Sequence, residues 1–131
     1  MSSRLPNYLS ELPIYQKAMD IWLLSRSIST YLNYDLSQLD SEGKENPNIY
    51  FSGDIVQQST SLGSEVINAA MEQERDKRYK HLRSMKRLTR HLYNNCSRLE
   101  RTNNNGKDYL PLLKRELKKF NRLQHNWMLT L

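Results

Sequence analysis

Lys80, Arg83, Arg87 and Arg90 recur at steps of three and four within the stretch from Arg75 to Arg101, RDKRYKHLRSMKRLTRHLYNNCSRLER. On a helix that spacing gathers them into one stripe. The stretch holds ten basic side chains against two acidic ones, Asp76 and Glu100, for a net charge of +8. Like charges three or four residues apart repel by about 0.2–0.5 kcal/mol per pair, so the pattern costs the isolated helix stability. What such a row can do chemically is hold an anion, and a repeating phosphate backbone is the anion that suits a repeating row of cations. The predicted phosphate contacts are Lys80, Arg83, Lys86, Arg87 and Arg90 on this element, assisted by Lys114, Lys118, Lys119 and Arg122 further along. Tyr79 and Tyr93 are the aromatics nearest these cations. Their place at the edge of an apolar stripe reads as packing, so binding without base-specific readout is expected.

No arrangement of residues points to catalysis. His81, His91 and His125 have no carboxylates at a metal-ligand spacing, and the Glu-and-His pattern of carboxylate-bridged metal bundles does not occur. His81 and His91 lie on the basic stretch, where a phosphate contact is the expected use. There is no glycine-rich phosphate loop and no Ser or Cys nucleophile motif. Cys96 is the only cysteine, which excludes an internal disulfide, and it is expected to pack as a small apolar group. The chain is therefore read as a non-enzyme with no cofactor and no metal.

The elements that must position the cations follow from the apolar pattern. Leu82, Met85, Thr89, Leu92, Cys96 and Leu99 form a second stripe on the basic stretch and predict the core face of one helix. A helix upstream starts near Pro13, which suits a first turn, and runs to about Leu32. It carries Ile14, Ala18, Ile21, Trp22, Ser25, Ile28 and Leu32 on one face, with Trp22 expected to anchor the core. Residues 1–12 read as an irregular lead-in and residues 33–48, rich in Asp, Ser and Asn, as a loop. The next helix spans Ile49 to Met71, with Phe51, Ile55, Ser59, Leu62, Val66, Ile67 and Ala70 inward. Gly63 interrupts it at a cost of about 1 kcal/mol relative to Ala, which is read as marking close approach of a neighbouring helix.

The turn into the basic helix falls within MEQERDK, a segment with neither Gly nor Pro. After that helix, residues 101–106, RTNNNG, form a stop and a loop. A last helix begins near Lys107 or Asp108, tolerates Pro111 in its first turn, and turns Leu110, Leu113, Leu117, Phe120, Leu123, Gln124 and Trp127 inward. Four amphipathic helices without a strand pattern predict an all-α protein, an antiparallel up-down four-helix bundle forming a single domain over residues 1–131.

Charge is divided along the 131 residues: residues 1–72 carry a net −5 and residues 73–131 a net +11. A molecule with one basic and one weakly acidic side suits a polyanionic partner, and also self-association. The first residues hold no apolar run of the kind a leader needs, and no run of 18 apolar residues predicts a membrane span. A reducing cytoplasm is the expected compartment.

Three segments carry a resemblance to a known family. LPIYQKAMDIW, from Leu12 to Trp22, is similar to the opening of the bacterial four-helix-bundle family of diversity-generating retroelement accessory variability proteins. The bundle proteins of ribosomal-RNA intervening sequences are more distant members. Residues Ile55 to Leu92 resemble that family's apolar second helix, charged turn and Arg- and Leu-rich third helix. FNRLQHNWM, from Phe120 to Met128, resembles its terminal pattern: Arg122 and Trp127 match, while Asn121, His125 and Asn126 stand in the places of glycines. The resemblance implies a homopentameric ring with a basic surface or channel. Such a ring would bind a reverse transcriptase together with template RNA or an RNA/DNA hybrid, in support of mutagenic reverse transcription.

Two further readings of the same residues stay open. One is a protein adaptor whose basic face docks an acidic partner, and the other a solvated charged face that binds nothing. An rRNA intervening-sequence bundle protein is a variant of the family reading.

Overall fold

The computed structural model describes residues 7–36, 43, 49–101 and 108–130. Among these the structure is all-helical, with no strand and five helices: α1 (Asn7–Glu11), α2 (Pro13–Leu36), α3 (Ile49–Met71), α4 (Arg75–Glu100) and α5 (Leu110–Met128). The four helices expected from the sequence are α2 to α5. α1 is a correction to the irregular lead-in of residues 1–12. It packs against α2 and buries Leu9 completely. The Leu12 N–H donates to the Leu9 carbonyl at 3.2 Å, turning the chain into α2 at Pro13, where a missing N–H leaves no helical bond unmade.

α2 runs to Leu36 instead of Leu32. Asn33 and Asp35 favour turns, but between Leu32 and Gly43 there is no Gly or Pro to stop a helix. Of the remaining expected loop only Gly43 is described, at φ +78°, a conformation glycine adopts without strain. Residues 1–6, the rest of 37–48, residues 102–107, residue 131 and the Phe51 side chain lie outside the described residues, and with them the expected helix start at Lys107.

The turn from α3 to α4 manages without Gly or Pro because a side chain holds it. Arg78 donates through Nε and Nη2 to the Glu72 carbonyl at 2.9 and 2.6 Å, and Glu72 Oε1 accepts from the Glu74 N–H at 3.1 Å. Asp108 and Tyr109 form a short 3₁₀ turn that leads into α5, with Pro111 in its first turn. Tyr109 stacks on Tyr31 of α2 with ring centroids 5.7 Å apart.

α2 lies against α3 and α5, and α4 likewise lies against α3 and α5, so the four long helices enclose one core. The expected apolar stripe of α4 is buried along its whole length, from Leu82 to Leu99. Burial pushes the Cys96 thiol up to about 12, with the Glu100 charge adding to it, so it packs as an apolar group. Ser25 and Ser59 pair across α2 and α3 at 2.7 Å, and Ser59 passes its own proton to the Ile55 carbonyl.

Three packing expectations are corrected. Ala69 is the buried residue of the last α3 turn, while Ile67 and Ala70 are half-buried. Trp22 is half-buried at the edge of the core: its indole N–H donates to Thr60 Oγ1 at 3.1 Å and the Arg26 guanidinium covers its ring at 4.9 Å. An indole with a partner for its polar end is better placed at an edge than in a dry interior. Nothing closes on Gly63, where no heavy atom stands within 4 Å of the place a Cβ would take. It opens instead on a mostly apolar groove of about 180 Å³ between α2 and α3, walled by Tyr15, Met19, Trp22 and Ile67. Gly63→Ala is therefore expected to raise the unfolding free energy by about 1 kcal/mol in urea denaturation, through helix propensity alone. A loss of stability would show that α2 does crowd this position.

Candidate nucleic-acid interface

α4 presents Lys80, Arg83, Lys86, Arg87 and Arg90 to solvent, outside its buried stripe. Among the described residues none of the five has a carboxylate within ion-pair distance. The physical reason is local composition. The two acids of α4 stand at its ends, Asp76 in the first turn and Glu100 at the last residue, and the middle has none. Asp76 there complements the helix dipole.

The acids nearby are engaged elsewhere. Glu65 of α3 accepts His81 Nδ1 at 3.1 Å, Glu116 of α5 takes Lys17 at 2.9 Å and Lys119 at 3.1 Å, and Glu100 takes Lys114 at 3.0 Å. His81 is thus part of the α3–α4 contact, which corrects its expected use as a phosphate ligand. His91 is exposed.

The α5 cations divide into two kinds. Lys118 and Arg122 are exposed and, among the described residues, have no carboxylate partner. Lys114 is a strut between α4 and α5: the Glu100 carboxylate paired with it holds its ammonium above the ordinary lysine value, and its Nζ lies 4.7 Å over the Tyr93 ring. Lys119 shares Glu116 with Lys17. Both paired lysines offer less free charge to a ligand than their exposed neighbours. Tyr79 and Tyr93 pack against the core, and Arg75 and Lys114 cover their rings.

Between α4 and α5 lies a cleft of about 520 Å³. Lys86, Thr89, Arg90, Tyr93 and Asn94 line it from α4, at the three- and four-residue steps of one helix face. Lys118, Asn121, Gln124 and His125 line it from α5. Three of the sequence-predicted cations, Lys86, Arg90 and Lys118, therefore converge on one concavity. Lys80, Arg83, Arg87 and Arg122 remain outside it on the open surface. Asn94, Asn121, Gln124 and His125 were not among the residues predicted to bind. The signal available for them was polar interruption of apolar stripes, Thr89 in α4 and Gln124 in α5.

Two half-buried carboxylates give the scaffold an acid limit. Burial pushes the Glu65 carboxyl up, but hydrogen bonds from His81, Asn68 and Ser84 outweigh it and hold it below the ordinary range. Glu116 behaves alike: burial raises it, and Lys17 and Lys119 bring it below its usual value. A lowered folded pKa means stability that is complete above the unfolded glutamate value of about 4.3 and lost as pH falls through the folded one. The urea midpoint is expected to drop below about pH 4, and Glu65→Gln and Glu116→Gln variants should show a shallower drop. Profiles identical to wild type would remove these two groups as the cause.

Among the described residues no group of three or more His, Cys, Asp or Glu could hold a metal ion, and no helix is long and apolar enough to cross a membrane. No family model, curated protein or solved structure matches the chain.

Proposed function

We propose that the chain is an antiparallel up-down four-helix bundle that binds nucleic acid without catalysis, through the exposed basic face of α4 and its margin on α5. One observation carries this reading: five cations of α4 stay exposed and, among the described residues, without a carboxylate partner, while Glu65, Glu100 and Glu116 are committed to other bases. Among the described residues no carboxylate neutralises the row, so a ligand's phosphates meet its charge.

The bundle topology is supported by contacts that run in opposite directions along neighbouring helices. Early α2 meets late α5 in the groove shared by Ile14 and Trp127, while Tyr31 meets Tyr109 at the other end. Glu65 with His81 and Gln58 with Asn95 align α3 and α4 in the same opposed sense.

The test is a titration of labelled single-stranded RNA and of duplex DNA at about 50 and 200 mM salt. With about five phosphates contacted, RNA affinity falls on the order of 10²-fold across that range. No binding of either nucleic acid at low salt would overturn the reading and leave the protein adaptor.

The family resemblance of the segments at Leu12, Ile55 and Phe120 extends the proposal. In that form the protein is a cytoplasmic accessory factor of a diversity-generating retroelement, a homopentamer that joins a reverse transcriptase to its template RNA. Light scattering that gives a monomer at micromolar concentration would count against this extension and leave phosphate binding untouched.

A further inference from the structure

Gln124 is the residue of the α4–α5 cleft that phosphate binding does not use. Its side chain is 1% exposed, and its Nε2 donates to the Leu82 carbonyl at 2.8 Å. A carbonyl only accepts, so the amide has one orientation, nitrogen toward Leu82 and oxygen away. That oxygen, Oε1, is buried and has no donor among the described residues. Thr89, the other buried polar residue of the cleft, spends its hydroxyl proton on the Lys86 carbonyl at 2.9 Å. A buried acceptor without a donor is unfavourable, and a ligand bringing an N–H relieves it.

The cleft offers an anion site at the rim, where Lys86, Arg90 and Lys118 converge, and Gln124, which lines it, holds a buried acceptor without a donor among the described residues. The cleft volume of about 520 Å³ is that of a site for a small organic group. A nucleotide carries both features, a phosphate and the N–H groups of its base. We infer that the cleft receives one unstacked nucleotide of a single strand, its phosphate among the three cations and a base N–H donated to Gln124 Oε1. The inference rests on the nucleic-acid reading and adds to it a preference for single strands. In a duplex the base edges are paired, and extracting one costs stacking and pairing energy. An acidic peptide also carries anions and N–H groups. Lys80, Arg83 and Arg87 continue the row along α4 beyond the cleft, and that favours an evenly charged polymer.

The test titrates the full chain, at one salt concentration, with a short labelled single-stranded RNA, with the same RNA annealed to its complement, and with polyglutamate. Single-stranded RNA is expected to bind about tenfold more tightly than the duplex, and polyglutamate more weakly than either. Gln124→Leu keeps the volume and removes the orphan acceptor. It should bring single-strand affinity down to the duplex level without changing duplex affinity, at an unchanged or raised thermal midpoint. Equal affinity for single strand and duplex in the wild type, or a Gln124→Leu variant that keeps the preference, overturns the cleft inference and leaves phosphate binding standing. Polyglutamate binding as tightly as RNA overturns it in favour of an acidic protein segment. Failure of both RNAs to bind at low salt overturns it together with the reading beneath it.

Discussion

Replacing Arg83, Arg87 and Arg90 together by Glu is expected to lower RNA affinity on the order of 10³-fold at low salt and to flatten its salt dependence by about two units of logarithmic slope. Each single-strand phosphate contact contributes about 0.7 to that slope, so three lost contacts account for about two units. Reversal also sets three carboxylates against the phosphates, which roughly doubles the loss in logarithmic terms over simple removal. All three arginines are exposed, so nothing in the core depends on them.

Folding is not expected to suffer. Lys80, Lys86 and the new glutamates at positions 83 and 90 form opposite-charge pairs at three- and four-residue steps where repulsions stood before. Each such pair is worth about 0.2–0.5 kcal/mol to a helix. Circular dichroism should therefore show undiminished helicity in a variant that has lost its ligand. Unchanged RNA affinity would remove α4 as the binding element.

The same residues show how far the sequence could be read. The core stripe of α4 was legible because six residues keep helical phase between two well-separated ends, and all six are buried. Phase is also why α3 was misread at its end. The buried residues Ile55, Ser59, Leu62, Val66 and Ala69 keep a strict alternation of steps of four and three, which the expected step from Val66 to Ala70 broke. α1 was missed because five residues between Pro6 and Pro13 are too few to display a period. Contacts between distant segments left no trace at all. Lys17 and Glu116 are 99 positions apart, and only their meeting shows that Lys17 serves the α2–α5 contact. The basic row could be found by counting charges. The α4–α5 cleft could not, because it exists only when the faces holding Arg90 and Lys118 are set opposite each other.

The second large effect is expected inside the scaffold. Among the described residues Phe120 is the bulkiest side chain with no exposed surface, and it shares the α5 stripe with Leu110, Leu113 and Leu117. Phe120→Ala removes its transfer free energy and leaves a cavity that helices pinned on both sides close only in part. The expected loss is about 3–5 kcal/mol, a large share of the roughly 5–15 kcal/mol that holds a domain together. The ion pairs that fasten α5, Lys17 with Glu116 and Lys114 with Glu100, involve partly exposed lysines and offset little of it. The urea midpoint reads this directly. Binding should respond in the opposite way to the arginine variant. The cavity is internal and the cations of α4 keep their places, so below its lowered midpoint Phe120→Ala should bind RNA nearly as wild type does. A folded Phe120→Ala protein that had lost RNA affinity would mean that the interface depends on where α5 sits, placing the Lys118 and Arg122 margin, not the α4 row, at the centre of recognition.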